Sequence, residues 1–74
     1  MSNIHFQRKV ICDELWDTLF FATGEYPDKE KTPDYRALKC GNFNVQIFNA
    51  RRIVVNGEKC SSSREAKFVI CEQL

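Results

Sequence analysis

Apolar residues recur at three- and four-residue steps from Ile11 onward. Ile11, Leu15, Leu19 and Ala22, flanked by Trp16 and Phe20, form one stripe. That spacing predicts an amphipathic helix with a buried face. Asp13 and Glu14 fall in or before its first turns, where acids suit the positive end of the helix dipole. Gly24 follows the stripe and is placed to take the left-handed cap conformation. Residues 1–10 form an ambiguous lead-in. There Ile4, Phe6, Arg8, Val10 and Cys12 alternate with His5, Gln7, Lys9 and Ile11, which fits a short strand or a helical approach equally. Residues 25–34 are polar and twice broken by proline, and they read as a surface loop.

The period then changes to two. Tyr35 to Cys40 is the first expected strand, with Gly41-Asn42 as a tight turn. Phe43 to Phe48 is the second. It sets Phe43, Val45 and Ile47 on one face and Asn44, Gln46 and Phe48 on the other. Asn49-Ala50-Arg51 turns the chain, and Arg52 to Val55 begins the third strand. Asn56-Gly57 is a strong hairpin signal. The third strand therefore either ends there or folds back on Glu58-Lys59-Cys60.

The last element opens with Ser62-Ser63-Arg64-Glu65, a capping box. The Ser62 hydroxyl can accept from the Glu65 amide while the Glu65 carboxylate reaches back to the Ser62 amide. Ala66, Ile70 and Leu74 then space out as a buried ridge, with Cys71 beside it, Val69 off it and Phe68 nearly opposite. The predicted fold class is α+β, in the order α-β-β-β-α. Two helices pack on one face of a three-stranded antiparallel sheet, because neither helix can bury its stripe alone.

Composition agrees with a single folded domain. Of 74 residues, 43% are hydrophobic and 28% charged, with three Gly and two Pro, which excludes a disordered or collagen-like chain. A chain this short buries only about 60% of its unfolded surface. No apolar run exceeds four residues, as in Leu19-Phe20-Phe21-Ala22, too short to span a bilayer. The opening residues lack a basic stretch followed by an apolar one, so no secretory signal is expected. Net charge is only +1, but it is divided unevenly. Residues 1–34 carry four Lys/Arg against seven acids, and residues 35–74 carry seven against three. The second half is the one suited to a polyanion.

Chemistry-bearing residues are few. Any Ser-His-Asp or Cys-His pairing would have to use the one His, and three isolated Gly make no phosphate loop, so the chain is read as non-catalytic and without a cofactor. Cys12, Cys40, Cys60 and Cys71 lie 28, 20 and 11 positions apart with no close pair. That spacing argues against a disulfide framework and against ordinary structural zinc. Reduced thiols are expected, with His5 and the cysteines as the remaining zinc alternative. The start of the final helix is richer. Ser63, Arg64 and Lys67, with Lys59 just upstream, combine free backbone amides with cations one turn apart. Such a cluster can clamp phosphates, and its binding would weaken with salt.

The ordered set Pro33-Asp34-Tyr35, two short strands, Gly57 and then Ser62-Ser63-Arg64-Glu65-Ala66-Lys67 resembles the double-stranded RNA-binding domain. The resemblance covers roughly residues 11–74. The family's second helix opens Ser-Lys-Lys-x-Ala-Lys; here Ser63 takes the first basic position, leaving Arg64 and Lys67. The family's first-helix stripe, Leu-Leu-x-Glu-Leu-x-Gln-like and closing in Gly, looks like Leu15 to Phe21 ending at Gly24. Thr18 and Phe21 occupy positions that touch ribose hydroxyls in the family. The Gly-Pro-x-His loop is reduced to Cys40-Gly41-Asn42-Phe43, in which only Gly41 matches. These forms look most like the carboxy-terminal domain of Dicer-type ribonucleases III.

The resemblance implies a weak, shape-reading module that positions duplex RNA for such a nuclease, in a cytoplasmic or nuclear setting. It places RNA contacts on Ser63, Arg64, Lys67, Lys59 and Thr18. The alternative is the same fold used to dock a protein partner or a second copy, through Phe21 and Phe68.

Overall fold

The computed structural model describes residues 3–28 and 33–73. It consists of helix α1 (Ile4–Thr23), a 3-10 turn (Pro33–Tyr35), strands β1 (Ala37–Cys40), β2 (Phe43–Asn49), β3 (Arg52–Val55) and β4 (Glu58–Cys60), and helix α2 (Ser63–Glu72). The strands form one antiparallel sheet in the order β1-β2-β3-β4. The α+β class and the helix–sheet–helix order agree with the sequence. The strand count is four, because Asn56-Gly57 makes a hairpin and the chain folds back. Asn56 (φ 49°) and Gly57 (φ 86°) both take left-handed conformations, as a two-residue hairpin turn of this kind requires.

The lead-in resolves as helix. Asn3 caps it, its side chain accepting from the His5 amide at 2.9 Å. The strand-like alternation before Ile11 is misleading because Ile4 and Phe6 stay exposed, while Gln7, Arg8 and Val10 are half-buried. One consequence corrects the sequence reading: Asp13 and Glu14 lie mid-helix, and the first turn holds no acid. Gly24 ends α1 at φ 79°, its amide donating to the Phe20 carbonyl. The first strand also starts later than expected. Asp34 (φ 55°) and Tyr35 (φ 56°) are left-handed, so extended backbone begins after them. A bulky residue at positive φ is held only where its surroundings fix it. Here the Cys12 thiol donates to the Tyr35 carbonyl (3.6 Å), and the Tyr35 ring meets His5 edge-on at 5.2 Å. The middle of the polar loop, 29–32, and Leu74 lie outside the described residues.

The core is the space between the helices and one sheet face. Leu15 and Leu19 from α1, Leu38, Val45, Ile53 and Val55 from the strands, and Ala66 and Ile70 from α2 are fully buried. Strand alternation explains the pattern: β2 buries Phe43, Val45 and Ile47 and exposes Asn44, Gln46 and Phe48. In α2 the inward set is Ala66, Val69 and Ile70. Val69 therefore belongs to the buried stripe, contrary to the sequence reading, and Cys71 is exposed. Steps of three and four from Ala66 centre the buried arc between Val69 and Ile70, and Cys71 rotates out of it. Between Ile47 and Asn49 the register slips, leaving Phe48 as the extra residue of a bulge.

Candidate nucleic-acid interface

Helix α2 begins where the sequence places it. Ser62 is the cap, and its hydroxyl accepts from the Glu65 amide at 3.1 Å. The reciprocal half differs from expectation. The Glu65 carboxylate accepts from the Ser61 amide (2.9 Å) and the Ser61 hydroxyl (2.6 Å), one residue earlier than the usual box. Those two donors hold the Glu65 carboxyl below its ordinary value. Glu65 is thus occupied in fixing the strand-to-helix corner.

Ser63, Arg64 and Lys67 share the first turn and a half of α2. Arg64 is exposed and Lys67 half-buried. Among the described residues, neither cation is engaged by a carboxylate. Ser63 is engaged: its hydroxyl donates to the Glu14 carboxylate of α1, 49 positions away in sequence. This contact bridges the two helices at the surface, above the core they share. Counting by fours places Glu14 and Thr18 on the α1 flank that faces α2, and Ser63 and Lys67 on the α2 flank that faces α1. Thr18 is half-buried there. Phe21, the next exposed residue along that flank, is 91% exposed, and Phe68, on the outer side of α2, is 64% exposed. Ser62, Arg64, Glu65 and Phe68 line a shallow depression of about 280 Å³.

Lys59, expected at this site, and Gly41, the one match to the family's strand-turn loop, stand elsewhere. Lys59 pairs across the sheet with Val54, while its neighbour Cys60 is buried toward the helices. Alternation therefore turns Lys59 to the open sheet face, away from α2. Gly41 packs at the other end of the helix layer, where an added Cβ would stand 3.1 Å from the Thr23 methyl. Strand parity explains this. In a three-stranded antiparallel meander, the first turn and the exit of the last strand lie at the same sheet end. A fourth strand carries the exit to the opposite end. The Gly41-Asn42 turn lies beside Gln73, at the far end of α2 from Ser63, roughly 15 Å away by helical rise.

The arrangement can present two cations and the amide end of a helix to phosphates. Glu14, exposed on the α1 flank beside Ser63, opposes that charge. Sequence reasoning missed Glu14 because its partner is remote along the chain. Three cysteines, Cys12, Cys40 and Cys60, are buried free thiols in the core, and Cys71 is a free, exposed one. No three His, Cys, Asp or Glu side chains converge in metal-holding geometry among the described residues. Comparison with protein-family models, curated proteins and solved structures gives no match for this chain.

Proposed function

We propose that this chain is a non-catalytic module that binds duplex RNA weakly, by shape, through the start of α2. In this reading Arg64 and Lys67 contact phosphates across the narrow major groove of an A-form duplex. Thr18 and the adjoining α1 flank lie toward a minor groove and its ribose hydroxyls. As the likeness to Dicer-type domains implies, the duplex would be presented to a ribonuclease III. The observation that carries the reading is the pair of cations, one helical turn apart, neither engaged by a carboxylate among the described residues, at the amide end of a capped helix. Weak binding follows from the same geometry. Ser63 is tied to Glu14, Lys59 faces away, and the Gly41 turn stands at the opposite end.

The test is a titration with a duplex of about 16 bp at two salt concentrations. Arg64→Ala with Lys67→Ala lowers affinity equally for all duplex sequences. It also flattens the salt dependence by about 0.9 per lost phosphate contact, the slope for B-DNA. Glu14→Gln tightens binding several-fold, since a carboxylate about 4 Å from a phosphate costs roughly 1 kcal/mol in water. Equal binding by wild type and double variant would refute the assignment.

A second reading, docking of a protein or a second copy, is favoured by Phe21 and Phe68, both largely exposed. Concentration-dependent sedimentation without any response to RNA would select it.

A further inference from the structure

At one edge of the sheet a second basic surface is built around Phe48, with Arg52 on the open face and Arg8 reaching round from α1 on the helix side. Alternation along β2 sets the Phe48 ring on the solvent side, where it is 41% exposed, and the bulge leaves Phe48 as the extra residue there. Its carbonyl, freed from the ladder, accepts from the Arg8 Nε at 3.1 Å. That bond leaves the terminal amino groups of Arg8 as further donors. The Arg52 guanidinium sits 5.0 Å from the centre of the Phe48 ring. Arg36 joins them: Arg8, Arg36, Gln46 and Phe48 line a depression of about 300 Å³. Among the described residues, no carboxylate engages Arg8, Arg36 or Arg52.

Charge is one-sided here. From Arg36 to Cys60 the chain has five Lys/Arg and one acid, Glu58, which lies at the hairpin turn of β4. The cross-strand row Gln46, Val54 and Lys59 continues the surface beyond the aromatic ring. Nothing in the core requires this arrangement. Three guanidiniums, none with an ion-pair partner among the described residues, meet at a ring that is 41% exposed.

We infer that this face binds single-stranded nucleic acid, with one base stacked near Phe48 and the adjoining phosphates held by Arg8, Arg36 and Arg52. An aromatic ring within a positive groove is how single strands are held without sequence preference. The base supplies a π-face for the ring, and Arg52 can stack against either. A guanidinium fork suits phosphate oxygens better than a point charge does. A duplex is a poor occupant, because its bases are already stacked and Phe48 could not reach one. An acidic peptide would satisfy the arginines but leave the ring without a partner. The site is separate from Arg64 and Lys67, so it stands or falls independently of the duplex reading.

The test is fluorescence anisotropy with a labelled oligouridine of about 8 nucleotides, within the usual site size. Phe48→Leu keeps an apolar side chain but removes the ring, and it weakens binding roughly tenfold, the fold-change for about 1.4 kcal/mol of stacking. Arg36→Gln and Arg52→Gln each weaken binding and each flatten the salt dependence by about 0.7, the value for single strands. Arg64→Ala with Lys67→Ala weakens oligouridine binding less than Arg36→Gln with Arg52→Gln does. Thermal melts by circular dichroism establish that each variant is folded, and Phe48→Trp, which retains a ring, binds at least as well as wild type. The inference is overturned if Phe48→Leu binds like wild type, or if affinity is lost only with Arg64 and Lys67. It is also overturned if a polyglutamate peptide of equal charge displaces the oligonucleotide at equal concentration, which would make this a face for acidic protein.

Discussion

Side chains that look alike in the sequence do different work. Cys12, Cys40 and Cys60 fill core space, and each thiol hydrogen bonds to a main-chain carbonyl: Tyr35, Glu25 and Glu58 respectively. Burial first, then the neighbouring Asp13 charge, pushes the Cys12 thiol up to about 12. Burial, with Glu65 and Glu58 adding to it, raises Cys60 as well. A thiol held neutral is a poor nucleophile. In the native protein at pH 8, an aromatic disulfide reagent should therefore titrate one thiol rapidly, Cys71. The other three should react only after denaturant is added. The sign of the pH effect follows. The neutral buried thiols contribute full stability below the unfolded value of about 8.5. That contribution erodes as pH climbs from there toward 12. Fast reaction of two or more thiols in the folded protein would contradict this placement. The burial of Cys12 could be read from its position beside an apolar stripe. The exposure of Cys71 could not, because one residue of rotation on a short helix decides it.

Local signals located most elements well and their edges less well. Gly24, Gly41-Asn42, Asn56-Gly57 and Ser62 all act at the positions that their backbone chemistry suggests. The start of α1 was obscured because Ile4 and Phe6 are apolar yet exposed, so the alternating pattern there does not report burial. Tyr35 lies in a left-handed turn that no residue type in the sequence announces. The corner before α2 depends on Ser61 as well as Ser62, a division of labour visible only once Glu65 is placed. Ser62→Ala removes the acceptor for the Glu65 amide and should cost about 1 kcal/mol of stability, measured by urea denaturation. Ser62→Gly should cost only a few tenths. An alanine variant as stable as wild type would mean that the Ser61–Glu65 bonds alone hold the corner.

The whole molecule separates its charges onto different faces. Glu14 of α1 sits beside the start of α2, while the strands hold their arginines and lysines on the open face or at its rim. The charge split between the halves of the chain was legible in the sequence; its arrangement in space was not. It depends on the Ser63–Glu14 contact, on the bulge at Phe48 and on the parity of a fourth strand. Arg64 and Lys67 were found from a local motif because they lie on one helix turn. Arg8, Arg36 and Arg52 come from three elements and meet only through the fold. The most direct test of the account is an amide chemical-shift titration of the labelled protein with a short RNA duplex at low and high salt. The account predicts the largest shifts at Ser63, Arg64, Lys67 and Thr18, all fading as salt rises. Shifts absent from these four residues at low salt would contradict it.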